Sequence, residues 1–118
     1  MNIIISFLRK FLRPRLIAST AVVSGQRRPL GYQQILAATL VANTPLTPPT
    51  LPAGVVIGYI VIIVEAGDVR WRDDGVAPTS AVGMPLLAGY ELDYSGDYSK
   101  ITFITKALNP ILNVSYYA

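Results

Sequence analysis

From residue 32 onward, short apolar segments alternate with turn residues, and several segments show apolar and polar positions with a period of two. This period is typical of β-strands, because successive side chains of a strand point to opposite faces. The most apolar segment, residues 55–64, is too short to span a bilayer as a helix. It suits a central strand that is buried on both faces. Residues 65–68 then predict a hairpin turn into a strand at residues 69–72.

The other segments of this region predict further short strands. Residues 33–42 favour a strand, although their alanine and leucine content also suits a helix. Residues 43–54 are a proline-rich connection that cannot donate a regular ladder of hydrogen bonds. Residues 83–92 predict a short edge strand and a turn, and residues 94–97 predict another turn. The last two strands are predicted at residues 101–106 and 111–117. Short strands at this regular spacing predict an all-β fold for residues 32–118, a small β-sandwich or a jelly-roll-like domain.

The amino-terminal segment, residues 2–13, has a helical distribution of apolar and basic side chains. Pro14 would end such a helix, whereas three consecutive isoleucines also suit a strand. We predict that this segment is a basic amphipathic assembly arm. Its residues are Ile3, Ile4, Phe7, Leu8, Arg9, Lys10, Phe11, Leu12, Arg13 and Arg15.

Several interpretations compete for this arm. A secretory signal fits poorly, because the apolar run is short and the basic residues follow it. A transmembrane helix is excluded by length. Three interpretations stay open: an arm that docks on another subunit, which we favour, a cationic helix on a membrane surface, and a part of the domain core. Residues 14–31 predict a linker, so we place the arm at residues 1–31 and the domain at residues 32–118.

Charge is divided unevenly between the arm and the domain. Residues 1–28 carry six basic residues and no acidic one, whereas the remaining four basic residues stand against seven acidic ones. The chain is 52% hydrophobic and only 14% charged, which favours self-association as a trimer or a larger ring. Arg27 and Arg28 alone do not predict a specific nucleic-acid partner. The absence of cysteine and histidine excludes disulfides, thiolate metal sites and histidine-based catalysis.

The clearest charged cluster surrounds the predicted strand at residues 69–72. The side chains that we expect to stabilise the following loop through ion pairs are Arg70, Arg72, Asp68, Asp73 and Asp74. Because Asp73 and Asp74 are adjacent, they would point to opposite faces of a strand and cannot act together as acid and base. The chain also has neither a phosphate-binding loop nor a dinucleotide fingerprint. We therefore predict a protein that is not an enzyme and needs no cofactor.

Two sets of residues could form a binding site, and each also has a simpler structural interpretation. Asp93 and Asp97 could offer oxygen ligands to calcium, but their spacing lacks the pattern of a calcium loop. We favour turn capping for them. An aromatic platform for sugars could form from Trp71, Tyr90, Tyr94 and Tyr98. The simpler interpretation places the tryptophan in the core and the tyrosines at the rims of the sheet.

Part of the sequence resembles small virion structural proteins of tailed bacteriophages. The resemblance lies in R-W-R-D-D-G-V-A-P-T-S-A-V-G-M-P-L-L-A-G (residues 70–89), in residues 101–104 and in the ending L-N-V-S-Y-Y. In that family, an R-x-R-D-D-G-x-x-P-T core lies between β-strands. The resemblance covers about residues 32–118. It implies a non-enzymatic β-domain of the virion that coats or joins larger assemblies.

The resemblance leaves several positions in the virion open. The favoured function is a capsid decoration or cement protein that stabilises the shell, with the major capsid protein as partner. The alternative within the virion is a head–tail connector or a tail-associated ring subunit, which would contact connector or tail proteins. From a different class, a glycan-binding adhesion module stays open because of the aromatic residues.

Overall fold

In the computed structural model of this protein, residues 26–118 are described, and the predicted arm at residues 2–13 lies outside them. The described residues form six strands and one short helix. In chain order these elements are β1 (Pro29–Ile35), α1 (Ala37–Leu40), β2 (Thr44–Pro45), β3 (Tyr59–Arg72), β4 (Met84–Leu86), β5 (Glu91–Tyr94) and β6 (Thr102–Tyr117). The first strand begins at Pro29, so residues 29–31 belong to the sheet rather than to the linker.

The six strands form one antiparallel sheet around two long central strands, β3 and β6. Short strands flank this pair: β1 and β2 add to the free side of β6, and β4 and β5 add to the free side of β3. The all-β class is therefore confirmed. Because residues 26–118 make a single sheet, the two packed sheets of a sandwich or jelly roll are not confirmed.

An irregular stretch interrupts the pairing of β3 with β6 halfway along. The register shifts between Val64 and Val69, and both Gly67 and Leu108 adopt positive φ angles of 66° and 63°. The hairpin turn predicted at residues 65–68 is wrong, and residues 108–110, between the two strands predicted at residues 101–106 and 111–117, lie within the single strand β6. The chain continues straight through both segments, and the two segments face each other across the sheet, with Ala66 opposite Ile111. Together they make a paired bulge.

The paired bulge changes which positions of each strand point inward. Before it, the even positions of β3 are buried, and after it the odd position Val69 is buried. In β6 the order is reversed, from the odd position Phe103 to even positions. The other members of the core cluster in these strands are Ile60, Ile62, Val64, Leu112, Val114 and Tyr116. Because an extra residue shifts the alternation by one, both halves of each strand present apolar side chains to the same face. We call it the inner face, and the opposite one the outer face.

The helix α1 and the proline-rich connection cover the inner face. Leu40 and Leu46 are buried in the core cluster. Thr105 Oγ1 donates a hydrogen bond of 3.0 Å to the carbonyl oxygen of Leu40, which fixes α1 on β6. The strand that we predicted for residues 33–42 is wrong after Ile35, because the chain turns into α1 there. The alanine and leucine that favoured a helix locally decide the structure of this segment.

We predict that Gly67→Ala destabilises the fold strongly. A Cβ atom at this position would lie 2.6 Å from the backbone nitrogen of Pro110, and the φ angle is unfavourable for alanine. The expected loss in the free energy of unfolding is about 2 kcal/mol or more, measured by chemical denaturation. Gly75→Ala is the matched control, because its φ angle is also positive but nothing lies within 4 Å. Equal losses in the two variants would contradict the close approach at Gly67.

A second prediction concerns stability at high pH. Burial raises the pKa of Tyr116 from 10.0 to about 12, and its hydroxyl donates to Gln33 Oε1 at 2.7 Å. The folded protein therefore retains a proton that the unfolded chain releases, so this contribution is complete below about pH 10 and is lost as the pH rises towards about 12. Denaturation midpoints measured over this range should fall, and they should fall less steeply in Tyr116→Phe. The matched control is Tyr90→Phe, on an exposed ring, and an unchanged slope in Tyr116→Phe would contradict the prediction.

Candidate functional site

The D-D-G-V-A-P-T segment lies in a loop at one end of the sheet. This end loop, residues 73–83, connects β3 to β4. It begins with a turn in which Gly75 has a φ angle of 85° and the backbone nitrogen of Val76 donates to Asp74 Oδ1 at 3.4 Å. The Asp74-Gly75 pair therefore ends the strand as its turn chemistry indicates.

One of the predicted ion pairs forms within this turn. Arg72 Nε donates to Asp74 Oδ1 at 3.0 Å, and its Nη2 contacts Oδ2 of the same carboxylate. The hydrogen bond from Arg72 lowers the pKa of Asp74 below its usual value. Because the side chains are 27% and 54% exposed, water screens the pair. It orients the turn but contributes little to the stability of the fold.

Arg70 holds the end loop in a different way from the one predicted. Within residues 26–118 it forms no ion pair. Its Nε donates to the carbonyl oxygen of Ser80 at 3.0 Å, and its Nη1 donates to that of Gly83 at 2.9 Å. These two bonds tie the far side of the loop back to β3, and Pro78 is buried beneath it. Among the described residues Asp68 has no arginine partner either, and it accepts a hydrogen bond of 3.1 Å from the backbone nitrogen of Ala88.

A tyrosine from β5 fixes the start of the end loop. The Tyr94 hydroxyl donates to Asp73 Oδ2 at 2.8 Å and lies 3.1 Å from the carbonyl oxygen of Asp97. Burial, followed by the neighbouring Asp73 carboxylate, raises the pKa of Tyr94 well above its usual value. Its ring meets Trp71 edge to face, with centroids 6.3 Å apart. Within residues 26–118, Asp73 is therefore hydrogen-bonded to Tyr94 of the core cluster and forms no ion pair with an arginine.

A groove of about 480 Å³ lies beside the end loop. Val82 and Met84 expose 55% and 56% of their surface there. The complete lining is Trp71, Arg72, Asp73, Asp74, Val82, Gly83 and Met84. The aromatic platform considered for sugars does not assemble in the groove, because only Trp71 of the four aromatic residues lines it. Tyr90 lies at the paired bulge, where its carbonyl oxygen accepts from Val64, and Tyr98 packs against the core.

The two aspartates considered for calcium lie in different surroundings. Asp97 caps a turn, because its Oδ1 accepts hydrogen bonds from the nitrogen and the hydroxyl of Ser99 at 3.0 and 2.6 Å. These bonds lower the pKa of Asp97. Asp93 is paired in register with Val61 in the sheet. Within residues 26–118, no group of three or more histidine, cysteine, aspartate or glutamate side chains is placed to hold a metal ion.

The outer face carries a second cluster of acidic residues, which the sequence did not suggest. In the sheet register, Asp93 lies beside Val61, and Glu91 lies beside Ile63. Opposite residues of an antiparallel pair share a face, so the carboxylates of β5 line the apolar centre of β3. Further along this face, Glu65 Oε1 accepts a hydrogen bond of 2.9 Å from Asn113 Nδ2.

None of these three carboxylates forms an ion pair within the described part of the chain. The Asp93 carboxylate raises the pKa of Glu91 through a shared hydrogen bond and charge repulsion. Asp93 also raises the pKa of Tyr59, whose hydroxyl it contacts. The other four acidic residues of the domain, Asp68, Asp73, Asp74 and Asp97, each accept a hydrogen bond that fixes a turn, a loop or the core.

The amino-terminal end of the described chain lies against the same face. The Arg27 guanidinium carbon is 4.0 Å from the centroid of the Tyr59 ring, a cation–π contact. Next to it, the backbone nitrogen of Ala118 donates to the carbonyl oxygen of Arg28 at 2.9 Å. The chain therefore enters the sheet at the Tyr59 end of the outer face.

A simple pattern could have indicated this face. In E-L-D-Y (residues 91–94), polar and apolar residues alternate, which places Glu91 and Asp93 on one side and Leu92 and Tyr94 on the other. The strand register that brings them beside Val61 and Ile63 is a long-range property that no local pattern contains. The hydrogen bonds from Arg70 and Tyr94 depend on the same kind of pairing.

Comparisons of the chain with protein-family models, with curated proteins and with solved structures find no match. Among residues 26–118, the structure contains no helix of the length and apolar character needed to cross a membrane. The surfaces described above offer carboxylates and apolar side chains side by side. Such surfaces are suited to binding a partner that is both basic and apolar.

We predict that Arg70→Ala destabilises the protein more than Arg72→Ala. Arg70 donates two hydrogen bonds to backbone carbonyls, one of them part-buried, and removing it leaves those carbonyls without these donors. The expected loss for Arg70→Ala is about 1–3 kcal/mol in the free energy of unfolding. Arg72→Ala removes only a solvent-screened pair and is the matched control. Thermal melts that place the two variants at the same transition temperature would contradict this assignment.

Proposed function

We propose that this chain is a non-enzymatic structural protein of a bacteriophage virion, a decoration or cement protein that binds the capsid. The observation that carries this proposal is the outer face of the sheet. Its apolar centre and its three acidic side chains are unmatched by a second layer within residues 26–118. A protein that stabilises a shell needs such a surface, because it acts through contact area and not through chemistry.

The energetics of the outer face support a role in assembly. Ile63 remains 39% exposed at its centre, with the half-buried Val61 as its neighbour along β3. Burying this apolar surface against another subunit would contribute about 25 cal/mol for each Å² removed from water. The carboxylates at its edge would select a basic partner and would exclude an acidic one.

The end loop supports the same proposal. The neighbouring charged residues are engaged in fixing the loop itself. Arg70 of β3 donates hydrogen bonds to two carbonyl oxygens of the loop, and Asp73 accepts one from Tyr94. Val82 on this loop and Met84 at the start of β4 then stand exposed, and the conformation of the loop is held at both ends. A rigid loop with apolar side chains loses little entropy when it docks on a partner.

A head–tail connector or tail-associated ring subunit is the alternative within the virion. It is supported by the short flanking strands, since β4 and β5 together cover only part of the 14-residue strand β3. Strand edges left open in this way can pair with the next copy around a ring. The groove beside Trp71, which also contains carboxylates, supports a glycan-binding module as the alternative from a different class.

The copy number of the protein in purified virions tests the proposal. A capsid decoration protein should be present in several hundred copies, comparable with the major capsid protein, by quantitative mass spectrometry. A ring subunit would instead be present in about a dozen copies. If the protein is absent from purified virions, the structural role is wrong, and a glycan array then tests the adhesion alternative.

A further inference from the structure

The outer face has one feature that the assembly role alone does not explain. Its three carboxylates, Glu65, Glu91 and Asp93, form no ion pair within residues 26–118 although they surround apolar side chains. Glu91 and Asp93 lie two residues apart on the same face of β5, and the Asp93 carboxylate raises the pKa of Glu91, so two acidic groups stand together there. A cationic group placed between them would relieve this repulsion.

We propose that the outer face is the docking site for residues 2–13 of this protein's own amino-terminal segment. This segment contains Arg9, Lys10 and Arg13 and no acidic residue. Its apolar side chains, among them Phe7 and Phe11, match the apolar centre of the face. Its basic side chains match the carboxylates at the edge. Charge and hydrophobicity are thus complementary in the same contact.

The position of the chain end makes this contact geometrically feasible. Arg27 lies over the ring of Tyr59, at one end of the outer face. The face extends from there to Glu65, about 20 Å along β3 at roughly 3.3 Å per residue. Residues 14–26 can span about 43 Å when extended, so residues 2–13 can reach any point of the face. The connection also holds the segment at a high effective concentration near the face.

The groove at the end loop is the competing acceptor, and its charges are less available. Asp74 is paired with Arg72, and Asp73 accepts from Tyr94. A basic segment that docked there would have to compete with these partners. On the outer face, the carboxylates of Glu91 and Asp93 are repelled by each other, so a cation gains more there.

Zero-length carbodiimide crosslinking of the full-length protein tests this site. Lys10 is the only lysine in residues 1–28, and Lys100 and Lys106 are the only others in the chain. We expect Lys10 to form amide crosslinks mainly with Glu65, Glu91 and Asp93, identified by peptide mass spectrometry. Crosslinks of Lys10 mainly to Asp73 or Asp74, or spread evenly over all seven acidic residues, would overturn the proposal.

Limited trypsin digestion of full-length variants provides an independent measurement. Docking should protect the bonds after Arg9 and Lys10, so Ile63→Ser should increase the rate of cleavage there about tenfold, as expected for the loss of one apolar anchor. Val41→Ser is the matched control, because Val41 is 74% exposed and follows α1, which covers the inner face. Equal cleavage rates in the wild type and both variants would count against the site.

The docking site does not depend on the proposed virion role. An exchange of the segment between copies, in which residues 2–13 of one copy dock on the outer face of the next copy, would link subunits and would serve that role. Mixing isotope-labelled and unlabelled protein before crosslinking separates the two. Crosslinks within one chain support the docking site and count against exchange in solution. Crosslinks between labelled and unlabelled chains support both. A virion that lacks the protein would remove the assembly role and leave the crosslinking result intact.

Discussion

The close approach of Gly67 to Pro110 is the contact on which the sheet depends. It lets two strands of 14 and 16 residues remain paired through a stretch in which the alternation of buried positions changes. Without this change, one half of each strand would present its apolar side chains to solvent. The core cluster, the cover provided by α1 and the separation of an inner from an outer face all follow from it.

This contact also explains why the sequence predicted strands well but misplaced their ends. Residues 65–68 and 108–110 contain glycine, asparagine and proline, which favour turns when each segment is considered alone. In the fold, the two irregular segments lie opposite each other, and each accommodates the distortion of the other. Only the pairing of β3 with β6 distinguishes a paired bulge from two turns, and that pairing joins residues 30 to 58 positions apart along the chain, from Arg72 with Thr102 to Tyr59 with Tyr117.

In the candidate surfaces too, contacts between sequence neighbours could be predicted, whereas contacts between distant residues could not. The pairing of Arg72 with Asp74 could be predicted, because the two residues are neighbours in a turn. The role of Arg70 could not, because its acceptors lie on the far side of the end loop. The sequence did not predict Glu91 and Asp93 as a pair of acidic groups on the outer face, because the strand register places them beside β3.

The low charge content of the domain is a consequence of its single-layer architecture. A sheet with one covered face leaves the other side to water or to a partner, and here that side has an apolar centre between polar edges. Three of the seven acidic residues of the domain lie on it, and the other four fix turns, loops and the core. The basic residues are mainly in residues 1–28, which connect to this same face through Arg27. Among the described residues, Arg27 at the Tyr59 end of this face is the point where the basic part of the chain approaches the acidic part.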